Sequence, residues 1–251
     1  MNKPSDIKAT DIKTAVTAAF GAAAGTYDAS AGLQQDVARA LAQRIAGRAL
    51  PPEPRILEIG CGTGFLSRLL VALNPADLLL TDISPSMLGA CRNGIDAPNA
   101  RFMILDGEEP EAAGGPFDLI CSSLAFQWFN DLPAALQRLS AMLAPGGSLM
   151  FATIGAESFH EWKAAHATRG LPSGVRDYPS ATELMCDEER LVRSYADGRN
   201  FLEHLRQIGA HLPEGNHRPL SPGALRSILR QFESGIDVTY HILYGCVRST
   251  S

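Results

Sequence analysis

The 251-residue sequence predicts an α/β fold: a mostly parallel, seven-stranded sheet with helices on both faces and a small helical cap. Three observations carry this expectation. From Arg55 onward, short strand-like apolar runs alternate with runs of helical period. A glycine-rich loop follows the first strand directly, and acidic residues stand at the ends of the next two strands. Such alternation builds right-handed βαβ units, and ligands of these sheets bind at the carboxyl ends of the strands.

Residues 1–10 are polar and mixed in charge and read as a disordered tail, with a short helix over 11–20. Leu33, Val37, Leu41 and Ile45 recur at four-residue steps, one face of a helix that Pro51, Pro52 and Pro54 end. Strands are expected at 55–59, 78–81, 101–105, 117–122 and 148–153. Helical spacing marks 65–73 and 132–143, and Ser84-Pro85 is an N-cap followed by a first-turn proline. Pro145-Gly146-Gly147 reads as a turn before the fifth strand. Beyond Thr153 helices are expected near 159–165, 197–208 and 222–232, then a long final strand over 237–247. Residues 170–180 form a connector or a lid. The chain thus divides into a cap (1–50), a core (51–155), a substrate-side helical insertion (156–235) and a closing strand (236–251).

The bulk properties exclude several classes. Hydrophobic residues make up 45% of the chain, enough for a sizeable core, and the net charge of −5 argues against a nucleic-acid partner, which needs a basic footprint. No apolar run reaches membrane-spanning length and the N-terminus lacks signal-peptide order, so a cytoplasmic protein is expected. The five cysteines are scattered without CxxC spacing, so neither a disulfide framework nor a metal site is expected.

The chemistry centres on Glu58-Ile59-Gly60-Cys61-Gly62-Thr63-Gly64. Its GxGxG spacing differs from the GxGxxG dinucleotide fingerprint, because Phe65 stands at the last glycine's place. The tight turn offers no evident pyrophosphate cradle and suits a sulfonium-bearing chain packed over the loop. Glu58 either holds the loop or faces the amino-acid end of such a ligand. Asp82, ending strand two, suits the two hydroxyls of a ribose, although it can also cap the following helix. Asp106-Gly107, ending strand three, suits an adenine amino group or simply closes the strand. Together the three strand ends describe an adenosyl site, with Gly60, Cys61, Gly62, Gly64, Ile83, Met87, Gly107 and Ser122 completing the cofactor-binding set around Glu58, Asp82 and Asp106. The implied cofactor is S-adenosylmethionine. Phe126, Gln127 and Trp128, after strand four, either wall the acceptor site or pack in the core. The Asn/Asp-Pro-Pro-aromatic signature of nucleic-acid amine methylation is absent there.

These motifs resemble class I methyltransferases. Three further segments are similar to the malonyl-[acyl-carrier protein] O-methyltransferase family of biotin synthesis. They are Ala18-Ala19-Phe20-Gly21-Ala22-Ala23-Ala24 with Tyr27-Asp28 and Leu33-Gln34; Leu124-Ala125-Phe126-Gln127-Trp128; and the C-terminal region, with Ile208-Gly209-Ala210-His211 through Gly215 and Thr239-Tyr240-His241-Ile242-Leu243-Tyr244-Gly245. Between Tyr178 and Asp197 the chain is shorter than the family pattern. The resemblance implies methylation of the free carboxylate of a malonyl thioester on acyl carrier protein, or on coenzyme A. Tyr27 then orients acceptor or cofactor, or else holds the cap to the sheet, while Tyr240 and His241 are structural. The arginine that meets the malonyl carboxylate is not identified by the sequence. Arg190, Arg193, Arg199, Arg206, Arg218, Arg226 and Arg230 form either a carrier-docking face or a solvated surface. Two rivals share the cofactor site: a methyltransferase for another small acid or a quinone-type acceptor, and a non-catalytic binder of S-adenosylmethionine.

Overall fold

The computed structural model describes residues 4–210, 212 and 219–249, with side chains from residue 12 onward. His211, Gly215 and Arg218 lie outside the described residues. Three helices come first: α1 (Pro4–Ala23), α2 (Tyr27–Ser30) and α3 (Gly32–Ala46). The core follows as β1 (Arg55–Ile59), α4 (Phe65–Leu70), β2 (Asp77–Asp82), α5 (Pro85–Gly94), β3 (Ala100–Ile104), β4 (Phe117–Ser123), α6 (Leu132–Ser140) and β5 (Leu143–Ile154). The chain closes with α7 (His160–Ala167), α8 (Ala181–Leu184), β6 (Asp187–Tyr195), α9 (Gly198–Gln207), α10 (Pro222–Gln231) and β7 (Ile236–Arg248).

The sheet has seven strands in the order β3-β2-β1-β4-β5-β7-β6. The first five are parallel, and β7 is antiparallel to both β5 and β6. The order reverses between β1 and β4, so their loops diverge to opposite faces and leave a crevice at the strand ends. Ile56, Leu78, Leu80, Leu119 and Cys121 point into one core, against α3, α4 and α5. Leu57, Ile59, Leu79, Ile120 and Leu149 point into the other, with Leu139 of α6. Two-sided burial explains why these strands read as unbroken apolar runs. Each such side chain contributes about 1.5–3 kcal/mol.

Three expectations are corrected. The tail expected over 1–10 is helical from Pro4 onward. Its polar, mixed-charge residues carry no apolar stripe, and α1 is held instead by its later turns, where Val16 and Phe20 meet the body of the protein. Pro145-Gly146-Gly147 is not a turn before the strand but part of β5, which begins at Leu143. The β4–β5 register shifts there between Phe117 and Leu119, and Gly146 adopts φ +76°. The segment 156–235 is not helical throughout, because β6 lies within it. Its Asp-Glu-Glu-Arg-Leu-Val-Arg-Ser-Tyr sequence is that of a polar edge strand, whose charged side chains blunt further pairing. The connector 170–180 has no regular structure but is tied down. Ala156 N donates to the Pro179 carbonyl (2.9 Å), and the Trp162 indole donates to the Ser173 carbonyl (3.4 Å). Among the described residues no helix is long and apolar enough to cross a membrane.

The β5–β7 pairing depends on a missing side chain. A Cβ on Gly245 would lie 2.1 Å from Cζ of the buried Phe151 ring. Gly245→Ala is expected to cost about 1–3 kcal/mol by overpacking, read as a lower urea midpoint with an unchanged slope. An unshifted midpoint would show that the ring moves aside freely.

Candidate active site

The site begins with backbone geometry. Gly60, Gly62 and Gly64 have φ of +70°, +55° and +95°, so the chain leaving β1 turns at once into α4. Cys61 N donates to the Thr81 carbonyl (2.8 Å) and Thr81 Oγ1 to the Glu58 carbonyl (2.7 Å), which lashes the loop to β2. Asp82 then joins two loops: Oδ2 accepts from Gly62 N (2.9 Å) and Oδ1 from Ser84 N (2.8 Å). The residue is only 8% exposed. Burial raises its pKa, and the two amide bonds work against that rise. Ser84 caps α5, accepting from Met87 N, with Pro85 next.

Glu58 is buried at the end of β1 and accepts a 2.6 Å bond from Ser67 Oγ. It therefore holds the first turns of α4. Burial pushes its pKa up to about 8, opposed by the Ser67 bond. Asp106 accepts from Glu108 N (3.0 Å) and from Lys13 Nζ, which also pairs with Glu108 Oε2 at 2.8 Å. Burial works against the lysine's charge, yet the bonds to Asp106 and Glu108 outweigh it and raise its pKa. A cap helix is thus clamped over the end of β3.

These elements enclose a cleft of about 1010 Å³, counted with the open solvent at its mouth. Glu58, Gly60, Cys61, Gly62, Asp82, Ile83, Met87, Asp106, Gly107, Tyr27 and Trp128 all line it. Gly64, Ser122, Phe126 and Gln127 are not among its lining residues. Gly64 starts α4 against Cys91 and Arg68. Ser122 is fully buried in β4, and the next residue, Ser123, lines the cleft instead. Phe126 packs between Phe129 and Phe151 (centroids 4.9 and 5.2 Å). Gln127 bonds to the Leu124 carbonyl and accepts from Thr153 Oγ1. Tyr27 stacks on Phe65 at 6.1 Å, and Phe20 spans Tyr27 and Trp128. Burial, then the charges of Asp82 and Asp28, raise the pKa of the Tyr27 phenol and keep it neutral.

Sequence reasoning missed Lys13 and Glu108, which line the cleft, placed Ser123 and Phe129 only within the loop after β4, and did not assign Gln34 a place there. Gln34 Oε1 and Trp128 Nε1 are buried without a hydrogen-bond partner among the described residues. Buried polar atoms are rarely left unsatisfied, so a ligand or an ordered water is the expected partner of each. The donor and acceptor set fits an adenosyl ligand: Asp82 for a diol, Asp106 for an amine, and Gln34 Oε1 for a donor near the glycine loop. Elsewhere, Tyr240 and His241 are structural. Tyr240 shares a hydroxyl bond with Tyr195, and His241 Nε2 meets Glu188 at 2.9 Å. Glu157, Glu188 and His241 converge there, but Arg190 already pairs with both carboxylates.

The fold and the cleft define a class I S-adenosylmethionine-dependent methyltransferase. The methyltransferase-domain family matches residues 31–232. A malonyl-[acyl-carrier protein] O-methyltransferase of Magnetococcus marinus is 46% identical over 87% of each chain. The biotin biosynthesis bifunctional protein BioCD of Bordetella avium is 48% identical over 90% of this chain, which spans half of that longer protein. Among solved structures, the YcgJ protein of Bacillus subtilis shares the fold (TM-score 0.57, 18% identity, 85% of this chain and 99% of that one). The chain belongs to the malonyl-[acyl-carrier protein] O-methyltransferase family.

Two outcomes test the site. A Cβ on Gly60 would come 2.3 Å from the Ala125 Cβ, whereas one on Gly62 meets nothing within 4 Å. Gly60→Ala is therefore expected to abolish measurable S-adenosylhomocysteine binding by calorimetry, and Gly62→Ala to weaken it by about tenfold through backbone strain alone. Equal losses would contradict the geometry. The second outcome concerns Glu58, whose pKa rises on folding from 4.5 to about 8. Its contribution to stability is fully present below pH 4.5 and is lost as pH rises towards 8, because only the unfolded chain releases the proton. Urea unfolding should show Glu58→Gln gaining on the parent protein across that window and levelling off above it; parallel curves would refute the raised pKa.

Proposed function

We propose that the chain transfers a methyl group from S-adenosylmethionine to the free carboxylate of a malonyl thioester on acyl carrier protein, in the cytoplasm, for the synthesis of the pimeloyl part of biotin. The supporting observation is 46% identity, over 87% of both chains, to a protein named for that reaction. The cleft is chemically compatible with it. A malonyl carboxylate is already ionised at neutral pH, so the reaction needs no general base, and no histidine is among the described lining residues.

When bound, S-adenosylmethionine supplies an electrophilic methyl group on a sulfonium. The chain's part is to bind and align. Asp82 accepts from the ribose hydroxyls, Asp106 from the adenine amine, and Gly60, Cys61, Gly62, Ile83, Met87 and Gly107 form the bed. Tyr27, Phe20 and Phe65 close the cap side and keep water from the reacting oxygen, which is where alignment contributes most to rate. Trp128 stands on the acceptor side. The acidic carrier needs a basic landing area. Arg190 and Arg193 are paired with Glu157, Glu188 and Asp36, whereas Arg199, Arg206, Arg226 and Arg230 form no ion pair among the described residues. These four are the proposed docking cations.

Labelled S-adenosylmethionine should deliver methyl ester to malonyl-carrier, with acetyl- and succinyl-carrier inert and malonyl-coenzyme A a poorer acceptor. Label on small free acids or quinone precursors, with none on malonyl-carrier, would replace this reading with the broader one.

A further inference from the structure

The cleft has a charge imbalance. Its described lining carries three carboxylates, Asp82, Asp106 and Glu108, against one cation, Lys13, which two of them already hold; burial keeps the fourth acid, Glu58, mainly protonated at neutral pH. Such walls suit a cationic cofactor and repel an anionic acceptor. An acceptor carboxylate therefore needs positive charge at the cleft that the carboxylates do not already neutralise.

The nearest candidate is the guanidinium of Arg176, which is not itself a lining residue but borders the cleft across Trp128. It lies 5.8 Å from the centroid of the Trp128 ring, and that ring is part of the cleft wall. Among the described residues Arg176 forms no ion pair. The neighbouring Asp177 exerts its charge on Lys163. Arg176 is half-buried, in a connector fixed at both ends by the bonds to Ser173 and Pro179. Beneath it, Trp128 is braced edge-on by Phe20 at 5.4 Å, and its buried Nε1–H has no acceptor. A cation beside a neutral N–H, neither with an acceptor among the described residues, makes a donor set that matches an oxyanion.

We propose that Arg176 and the Trp128 N–H form the binding element for the acceptor's carboxylate. This rests on the reading of the acceptor as a malonyl thioester. The pair holds one carboxylate oxygen and leaves the other free to attack. The same element explains a preference for malonyl over acetyl chains, since an acetyl group would leave both donors unsatisfied.

The test measures binding to the full-length protein saturated with S-adenosylhomocysteine, so that no turnover occurs. Malonyl-carrier and acetyl-carrier are titrated against the parent protein, Arg176→Met, Arg176→Lys and Trp128→Phe. Arg176→Met should weaken malonyl-carrier about 100-fold and leave acetyl-carrier unchanged, as expected when one partner of a desolvated charge pair is removed. Arg176→Lys should recover part of the loss, and Trp128→Phe, which keeps a ring, should cost about tenfold. Unchanged S-adenosylhomocysteine affinity certifies the fold of the Arg176 variants, and an unchanged urea midpoint that of Trp128→Phe. Equal weakening of both carriers, or of neither, overturns the proposal while methylation by the parent protein leaves the malonyl reading intact. A parent protein that neither methylates malonyl-carrier nor prefers it to acetyl-carrier overturns both.

Discussion

The buried carboxylate of Asp82 is the constraint on which the site depends. One oxygen holds the amide of Gly62 in the loop after β1, and the other holds the amide of Ser84 at the start of α5. Two loops from adjacent strands are thereby fixed to each other at the place where the sheet opens. Without that carboxylate two amides would lose their partners, at about 1–3 kcal/mol each when buried. The three left-handed glycines set the path of the first loop, the Cys61–Thr81 bond ties it to β2, and Asp82 joins it to the second loop. The bed for a nucleoside is thus held by the chain's own bonds.

The cap completes this arrangement from the other side. Lys13 spans Asp106 and Glu108, while Glu108 also accepts from the amides of Asn130 and Asp131. The cap helix, the end of β3 and the loop after β4 therefore meet at one ion-pair network. Acid lines the floor, and Phe20, Tyr27 and Phe65 form an apolar roof. This division separates tasks: the floor attracts a cation, and the roof strengthens that attraction by excluding water.

Much of the fold was legible because it follows from period and punctuation. The parallel core showed in runs such as Arg-Ile-Leu-Glu-Ile and Asp-Leu-Leu-Leu-Thr-Asp, buried on both faces. The β6 strand did not show, since a charged edge strand has no apolar alternation, and its pairing to β7 comes from backbone bonds. Asp82 and Asp106 were legible as strand-end acids following a glycine loop. Ser122 was read for Ser123 because the parity of a strand's last residue is invisible in sequence, and a one-residue slip exchanges faces. Phe126 and Trp128 illustrate the same limit: two aromatics two residues apart on a short turn, one in the core and one on the cleft. Lys13 left no signal, because its meaning depends on where α1 lies across β3.

The most direct test of the account is a crystal structure with S-adenosylhomocysteine bound. The ribose hydroxyls are expected on Asp82, the adenine amine at Asp106, and the amino-acid end along the loop from Gly60 to Gly62 beneath Tyr27. A ligand seated away from the ends of β1, β2 and β3, or one that leaves Asp82 without contact, would contradict it.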